Sequence, residues 1–205
     1  MASEVVVCFL EDLMQEGLVT ALVRRVVADR GYHPRSVSID TRNARGGIPA
    51  ALSGLNTYVV DVLEGREDVA PIVVVAIDSD CDVELRRRQI ADIVSRITDR
   101  TCVVAVVPDP YIERWYMLDL AALKAALGEG PPGALPFECD KGFYKRELAG
   151  AVEAAGLTPS LGGYEYADLI VDEIDLYACA KLDPQFGRFV DDLADCLARL
   201  LGSAA

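Results

Sequence analysis

Apolar runs alternate with amphipathic segments through the first half of the chain. The runs VVVCFL, PIVVVAI and TCVVAVV, with a weaker SVSI, predict strands at residues 5–10, 71–77, 101–107 and 36–39. Runs that are apolar throughout are typical of strands buried on both faces of a parallel sheet. Between them, apolar residues recur at helical spacing. The alternation therefore predicts a strand–helix–strand–helix–strand–helix–strand order.

Right-handed crossovers turn this order into an open, mostly parallel four-stranded Rossmann-like α/β sheet with helices on both faces. After residue 108 the pattern becomes helical only. We therefore predict an α/β core over residues 1–108 and a helical annex over residues 109–205, packed on the core as one compact unit.

Two Asp-Pro pairs predict the starts of helices in the annex. Asp109 as N-cap with Pro110 at the first helical position predicts a helix that ends at Gly128, before a rigid Gly/Pro-rich loop at residues 129–136. Asp183 and Pro184 repeat the signal for the last helix. That helix carries one apolar stripe, which needs a partner surface to bury against.

Composition narrows the function classes. The chain has 205 residues, is 52% hydrophobic and carries a formal net charge of −13. This charge favours solubility and disfavours nonspecific association with nucleic acid or an anionic membrane. No apolar run approaches a membrane span, and no basic segment precedes the first apolar run. We therefore expect a cytoplasmic protein.

The cysteines are scattered singly, and no Cys-x-x-Cys pair occurs. Several lie within apolar runs, where a free cysteine packs as a small hydrophobic residue. We therefore predict buried, reduced thiols for all six: Cys8, Cys81, Cys102, Cys139, Cys179 and Cys196.

Carboxylates cluster where predicted strands end. Glu11 and Asp12 follow the first strand, and Asp78, Asp80 and Asp82 follow the third. If these strands are neighbours, as in the order 2-1-3-4, their ends lie about 5 Å apart. Asp12 and Asp82 are predicted to cap the following helices. Glu11, Asp78 and Asp80 are predicted to share Mg²⁺ or Mn²⁺, since close like charges repel unless a cation lies among them.

The segments VVVCFLED, VVVAIDSDCD, PYIERWYMLD and DLYACAKLDPQFGRFVDDL together resemble the Toprim-like proteins of the DUF4276 family, related to nucleases of the old-lysogenisation type. The resemblance spans most of the chain. It implies a Toprim-type sheet in which a glutamate after the first strand and an Asp-x-Asp after the third bind Mg²⁺ for phosphodiester chemistry. By position these are Glu11, Asp78 and Asp80, with Glu11 as the general acid/base.

Two features qualify this resemblance. Such proteins usually have Gly after the glutamate, whereas here Asp follows Glu11, so Glu16 remains an alternative. Glu113, Trp115 and Asp119 match the family's Glu-x-Trp helix. Glu113 is either a further metal ligand or a first-turn acid that suits the helix dipole, and Trp115 is predicted to pack in the core.

Phosphate chemistry also needs positive charge. Arg42 and Arg45, in the loop TRNARGG after the second strand, are either substrate-binding residues or part of a solvated loop. Residues 86–88, three consecutive arginines, are predicted to form an outer helix face. A further basic group is predicted to be a surface: Lys141, Lys145 and Arg146.

Three functions remain open. The first is a Mg²⁺- or Mn²⁺-dependent phosphoesterase or nuclease acting in DNA processing or phage defence, with a nucleic acid or a phosphate ester as substrate. The second is a non-catalytic Toprim-like subunit that acts through a partner ATPase, as the resemblance suggests. The third is a Mn²⁺-dependent nucleotide-sugar transferase, which is weakened because no Gly-rich loop follows the first strand. Oligomeric state stays open.

Overall fold

A computed structural model describes residues 4–128 and 133–201; the first part of the loop predicted at residues 129–136 lies outside them. Its centre is a four-stranded sheet in the order β2-β1-β3-β4, with every neighbouring pair parallel. The strands are β1 (Glu4–Leu10), β2 (Val37–Asn43), β3 (Ile72–Ala76) and β4 (Cys102–Val106). The predicted fold class and strand order are confirmed.

Helices α1 (Leu13–Asp29), α2 (Gly47–Leu63) and α3 (Val83–Val94) connect successive strands, so the predicted alternation is also confirmed. After β4 the chain is helical. The later helices are α4 (Ile112–Tyr116), α5 (Leu120–Leu127), α6 (Phe143–Ala154), α7 (Ala167–Glu173), α8 (Leu176–Leu182) and α9 (Pro184–Leu201). No helix in the described part of the chain is long and apolar enough to cross a membrane.

The two faces of the sheet bury two separate apolar clusters, because successive side chains of a strand point to opposite faces. Val7 and Phe9 of β1 lie in one cluster with the buried sides of α2 and α3. Val6 and Cys8 lie in the other, together with α1 and the later helices. The helices after β4 therefore complete one layer of the fold.

Carboxylate caps fix where several helices begin. Asp12 accepts hydrogen bonds from the N–H groups of Met14 and Gln15 at the start of α1, and Asp82 accepts one from Leu85 at the start of α3. The capping predicted for Asp12 and Asp82 is confirmed. Asp183 likewise caps α9 through two N–H groups, of Gln185 and Phe186.

The helix predicted from Asp109 to Gly128 is wrong in its first half. The Asp109 carboxylate accepts a hydrogen bond from the Ser79 hydroxyl at 2.8 Å, and α4 begins only at Ile112. The chain then breaks before Asp119, whose side chain caps a new helix, α5. Gly128, with φ of 91°, ends α5 as predicted.

The prediction of six reduced cysteines is wrong for four of them. Disulfides join Cys81 to Cys139 and Cys102 to Cys196. Cys81 follows β3 and Cys102 begins β4, and each is bonded to a cysteine in the helical half of the chain. The bonded cysteines are 58 and 94 positions apart, so their spacing along the sequence does not indicate the pairing. Cys8 and Cys179 are free and buried, as predicted.

Candidate functional site

Glu11 and Asp78 meet at the carboxyl edge of the sheet. Leu10 of β1 is paired with Ala76 of β3, so the residues that follow these strands emerge side by side. The Asp78 N–H donates a hydrogen bond to Glu11 Oε2 at 3.1 Å. Both side chains are buried, with Glu11 7% and Asp78 8% exposed. The sequence-predicted proximity of these two acids is therefore present in the structure.

Gln15 holds the pair in place from the first turn of α1. Its Oε1 accepts a hydrogen bond from the Glu11 N–H, and its Nε2 donates one to Asp78 Oδ1 at 3.2 Å. The Ile112 N–H donates to the same Oδ1 at 3.0 Å. Sequence reasoning missed Gln15, because an amide beside carboxylates carries no motif of its own.

Each carboxylate keeps one oxygen outside this network. Within the described residues, Glu11 Oε1 and Asp78 Oδ2 take part in no hydrogen bond, whereas Glu11 Oε2 and Asp78 Oδ1 do. Each of these oxygens keeps accessible surface, so water or a cation can reach and satisfy it.

Burial also changes the acidity of this pair. Desolvation, then the charges of Glu11 and Glu113, raise the pKa of Asp78 well above its ordinary value of 3.8. Desolvation likewise raises the pKa of Glu11 above 4.5, while the hydrogen bond from Asp78 and the charge of Lys141 lower it. An additional positive charge at this edge would therefore be strongly favourable.

Asp80 takes a different position from that predicted. Its backbone has φ of 48°, and its carboxylate forms an ion pair with Arg86 Nη2 at 3.0 Å. In residues 4–128 and 133–201 no group of three or more His, Cys, Asp or Glu side chains is placed to hold a metal ion. The structure thus brings Glu11 and Asp78 together and turns Asp80 toward Arg86.

Glu113 is buried behind Asp78, at 2% exposure. Its Oε1 accepts a hydrogen bond from the Tyr164 hydroxyl and lies 3.5 Å from Lys145 Nζ. Among the described residues, Oε2 of Glu113 and the neighbouring Tyr116 hydroxyl have no hydrogen-bond partner. The first turn of α4 therefore contributes a buried carboxylate to the site, as well as the Ile112 N–H.

A cavity of about 580 Å³ opens beside Glu11. It is lined by the N-terminal part of α2, by Arg86 and Gln89 of α3, and by one charged residue from each of three loops. The charged lining residues are Glu11, Asp80, Arg86 and Lys141.

The disulfide between Cys81 and Cys139 joins two walls of this cavity. Cys81 follows Asp80, and Cys139 lies two positions before Lys141. Both cysteines are exposed. The cross-link therefore ties the segment after β3 to the segment before α6 at the edge of the candidate site.

Arg42 and Arg45 lie elsewhere. Arg42 belongs to β2 and not to the following loop; its guanidinium pairs with Asp40 and Glu67 and stacks over the Phe9 ring, with 5.4 Å from Cζ to the ring centroid. It lines a different cavity from Glu11. Arg45 is exposed, with φ of 50°.

The alternative glutamate, Glu16, faces β2 rather than Asp78. Its carboxylate accepts hydrogen bonds from the Thr41 hydroxyl at 2.9 Å and from the Asn43 amide. Asp119 caps α5 and also accepts from the Asp175 N–H. These two acids have local structural partners, so Glu11 is the better placed glutamate.

The side chains at this edge fit a small divalent cation. Mg²⁺ is commonly bound by one or two protein carboxylates, with waters and substrate oxygens filling its remaining positions. Glu11 and Asp78 supply two such groups, each with an oxygen that makes no other hydrogen bond in the described part of the chain.

No family model, curated protein or solved structure matches the chain. Its function is therefore inferred from the geometry and chemistry of the site.

Proposed function

We propose that the chain is a Mg²⁺- or Mn²⁺-dependent phosphoesterase of the Toprim type. The observation that carries this proposal is the buried pair Glu11 and Asp78 on neighbouring parallel strands, with one carboxylate oxygen of each free of hydrogen bonds within the described residues. The carboxyl edge of an open parallel sheet is also where such folds bind their ligands.

In this proposal Glu11 and Asp78 hold the cation, and Asp80 and Glu113 are further candidate ligands. The cation would polarise the phosphoryl group and offset its charge in the transition state. Gln15 and the Ile112 N–H keep Asp78 oriented by their hydrogen bonds to Oδ1.

The reaction is hydrolysis of a phosphate ester. Water gives up a proton to the general base as its oxygen bonds to phosphorus; the ester P–O bond breaks with its electron pair on the leaving oxygen, and that oxygen gains a proton. Glu11 is the candidate general acid/base, because it lies beside Asp78 and burial raises its pKa above the ordinary value of 4.5. Arg42 and Arg45 remain proposed substrate-binding residues. Neither lines the cavity beside Glu11, so they would contact a part of the substrate that extends beyond this cavity.

The test compares wild type with Asp78→Asn, Glu11→Gln and a control, Asp92→Asn, which neutralises an exposed acid on α3. Mn²⁺ binding is measured by calorimetry, and turnover on a chromogenic phosphodiester and on single-stranded and duplex DNA. We expect Asp78→Asn to lose Mn²⁺ binding and turnover. Glu11→Gln should reduce turnover by about 10²-fold or more with a smaller loss of metal affinity.

Turnover by wild type no faster than by Asp78→Asn would show that the chain does not catalyse hydrolysis alone. If Mn²⁺ still bound, the alternative of a non-catalytic subunit acting through a partner ATPase would lead. Loss of activity in Asp92→Asn as well would show that the effect is one of overall charge.

A further inference from the structure

The cavity beside Glu11 is lined by two cations that lie outside the hydrogen-bond network of Glu11, Gln15 and Asp78. Lys141 is exposed and lines the cavity near Glu11, whose pKa its charge lowers. Arg86 lines it from the first turn of α3. A cavity lined by both carboxylates and cations can bind an anion bridged to a metal.

Arg86 is held in place with donor capacity to spare. Its Nη2 pairs with Asp80 and its Nη1 donates to Gln89 Oε1 at 3.1 Å. Its Nε is buried and has no hydrogen-bond partner among the described residues. The side chain is only 17% exposed, so the guanidinium is fixed at the cavity and not free in solvent. The prediction of an outer helix face is therefore wrong for Arg86.

The N-terminus of α2 forms the next part of the wall. Gly47 and Ile48 line the cavity, and the N-cap residue Gly46 provides no side-chain hydrogen bond to the first turn. A Cβ on Gly47 would lie 3.8 Å from Glu11 Oε1. The first N–H groups of this helix thus lie beside Glu11, where their dipoles favour an anion.

We propose that this cavity binds the phosphoryl group of a small phosphate ester, with Lys141, Arg86 and the first turn of α2 as its anion-binding groups. The inference rests on the proposed function for the cation at Glu11 and Asp78, and it names the substrate class. Arg86 can contribute a second N–H of Nη1 or Nη2, beside those that pair with Gln89 and Asp80, because a guanidinium carries five N–H donors.

Size and charge favour a small ester over a polynucleotide. A volume of about 580 Å³ lies within the roughly 300–1,000 Å³ of small-molecule sites. A polynucleotide would instead need a track of phosphate-neutralising cations, whereas the chain carries a formal net charge of −13. Two cations around one cavity match a single phosphoryl group.

The experiment titrates inorganic phosphate and a 5′-mononucleotide into full-length protein saturated with Mg²⁺. Lys141→Ala is the principal variant, since Lys141 is exposed and its truncation leaves the core intact. Lys124→Ala, on the exposed side of α5, removes the same charge away from the cavity. Arg86→Gln tests the second cation, and Mg²⁺ affinity is measured separately for each protein.

We expect Lys141→Ala and Arg86→Gln each to weaken phosphate and mononucleotide binding about tenfold, as loss of a charge-assisted hydrogen bond predicts. Lys124→Ala should bind as wild type does. Phosphate affinity unchanged in both Lys141→Ala and Arg86→Gln would overturn the proposal. Lys141-dependent binding that is much tighter for a single-stranded oligonucleotide than for the mononucleotide would overturn its substrate class.

Failure of this inference is distinguishable from failure of the proposed function. Normal Mg²⁺ binding and turnover, with no effect of either Lys141→Ala or Arg86→Gln on phosphate binding, would refute the anion site alone. Lys141-dependent phosphate binding without any hydrolysis would leave the anion site and refute the catalytic proposal.

Discussion

At the scale of single residues, Asp78 is the most consequential side chain of the site. It is buried beside two other carboxylates, and only its Oδ1 receives donors within the described residues. Ionised Asp78 therefore destabilises the metal-free fold, and the same feature makes the position receptive to a cation. A functional role explains why a core position carries this cost.

Because the charge of buried Asp78 destabilises the fold, we predict that Asp78→Asn increases the free energy of unfolding in a pH-dependent way. Because burial and neighbouring acids raise the pKa of folded Asp78 above 3.8, the folded state keeps its proton longer than the unfolded state as pH rises. The free energy of unfolding therefore falls as pH rises from 3.8, the ordinary pKa, through the raised pKa of Asp78 in the folded state. Asn retains the Oδ1 acceptor and has no proton to lose, so it should avoid this loss.

We expect Asp78→Asn to raise the free energy of unfolding by about 1 kcal/mol or more at neutral pH, with the advantage vanishing near pH 3.8. Urea unfolding in the presence of a chelator measures it, with Asp92→Asn as the control. A variant less stable than wild type at neutral pH would show that the carboxylate is worth more to the fold as a hydrogen-bond acceptor than its charge costs.

At the scale of elements, the two disulfides offer a matched comparison. Cys81–Cys139 ties the segment after β3 to the segment before α6, beside the cavity, whereas Cys102–Cys196 ties the start of β4 to α9. The start of β4 lies at the amino ends of the parallel strands, whereas Glu11 lies at their carboxyl ends. Only the first cross-link can therefore hold the walls of the site.

We expect the double serine variants of either pair to lose about 2–4 kcal/mol of stability, because loop-closure entropy grows slowly with loop length. The variant without Cys81–Cys139 should also weaken Mg²⁺-dependent phosphate binding several-fold, since Lys141 is no longer tied to the segment after Asp80. Removal of Cys102–Cys196 should leave phosphate affinity unchanged. Equal effects of the two variants on binding would contradict a local role for the first disulfide.

Element identity was predictable where periodicity is strong, and the site was predictable only in part. The apolar runs predict all four strands, and the parallel order places Glu11 beside Asp78. The break before Asp119 follows from local capping that competes with a continuous helix. The parts contributed by Gln15, Arg86 and Lys141 depend on packing between segments distant in sequence, which no local pattern records.

At the scale of the whole molecule, the annex and the sheet share one apolar cluster. Val6 and Leu10 of β1 belong to the same buried cluster as Trp115 and Phe189 of the later helices. Without those helices one face of the sheet would lose its cover, and their own apolar faces would be exposed to water. The two parts should therefore fold as one cooperative unit.

Trp115 provides the test, because it is the single tryptophan and lies in the helical half of the chain. It is 0% exposed and packs against Phe186, with 5.0 Å between ring centroids. Its fluorescence therefore reports on the annex, whereas far-ultraviolet circular dichroism reports on all helices and strands. With both disulfides intact, we expect the two signals to give the same urea midpoint and the same dependence of the free energy of unfolding on urea.

Trp115→Phe, which keeps an aromatic ring in the cluster, controls for signal from the tyrosines. A fluorescence transition at lower urea than the dichroism transition would show that the annex unfolds separately, and would contradict a single compact unit.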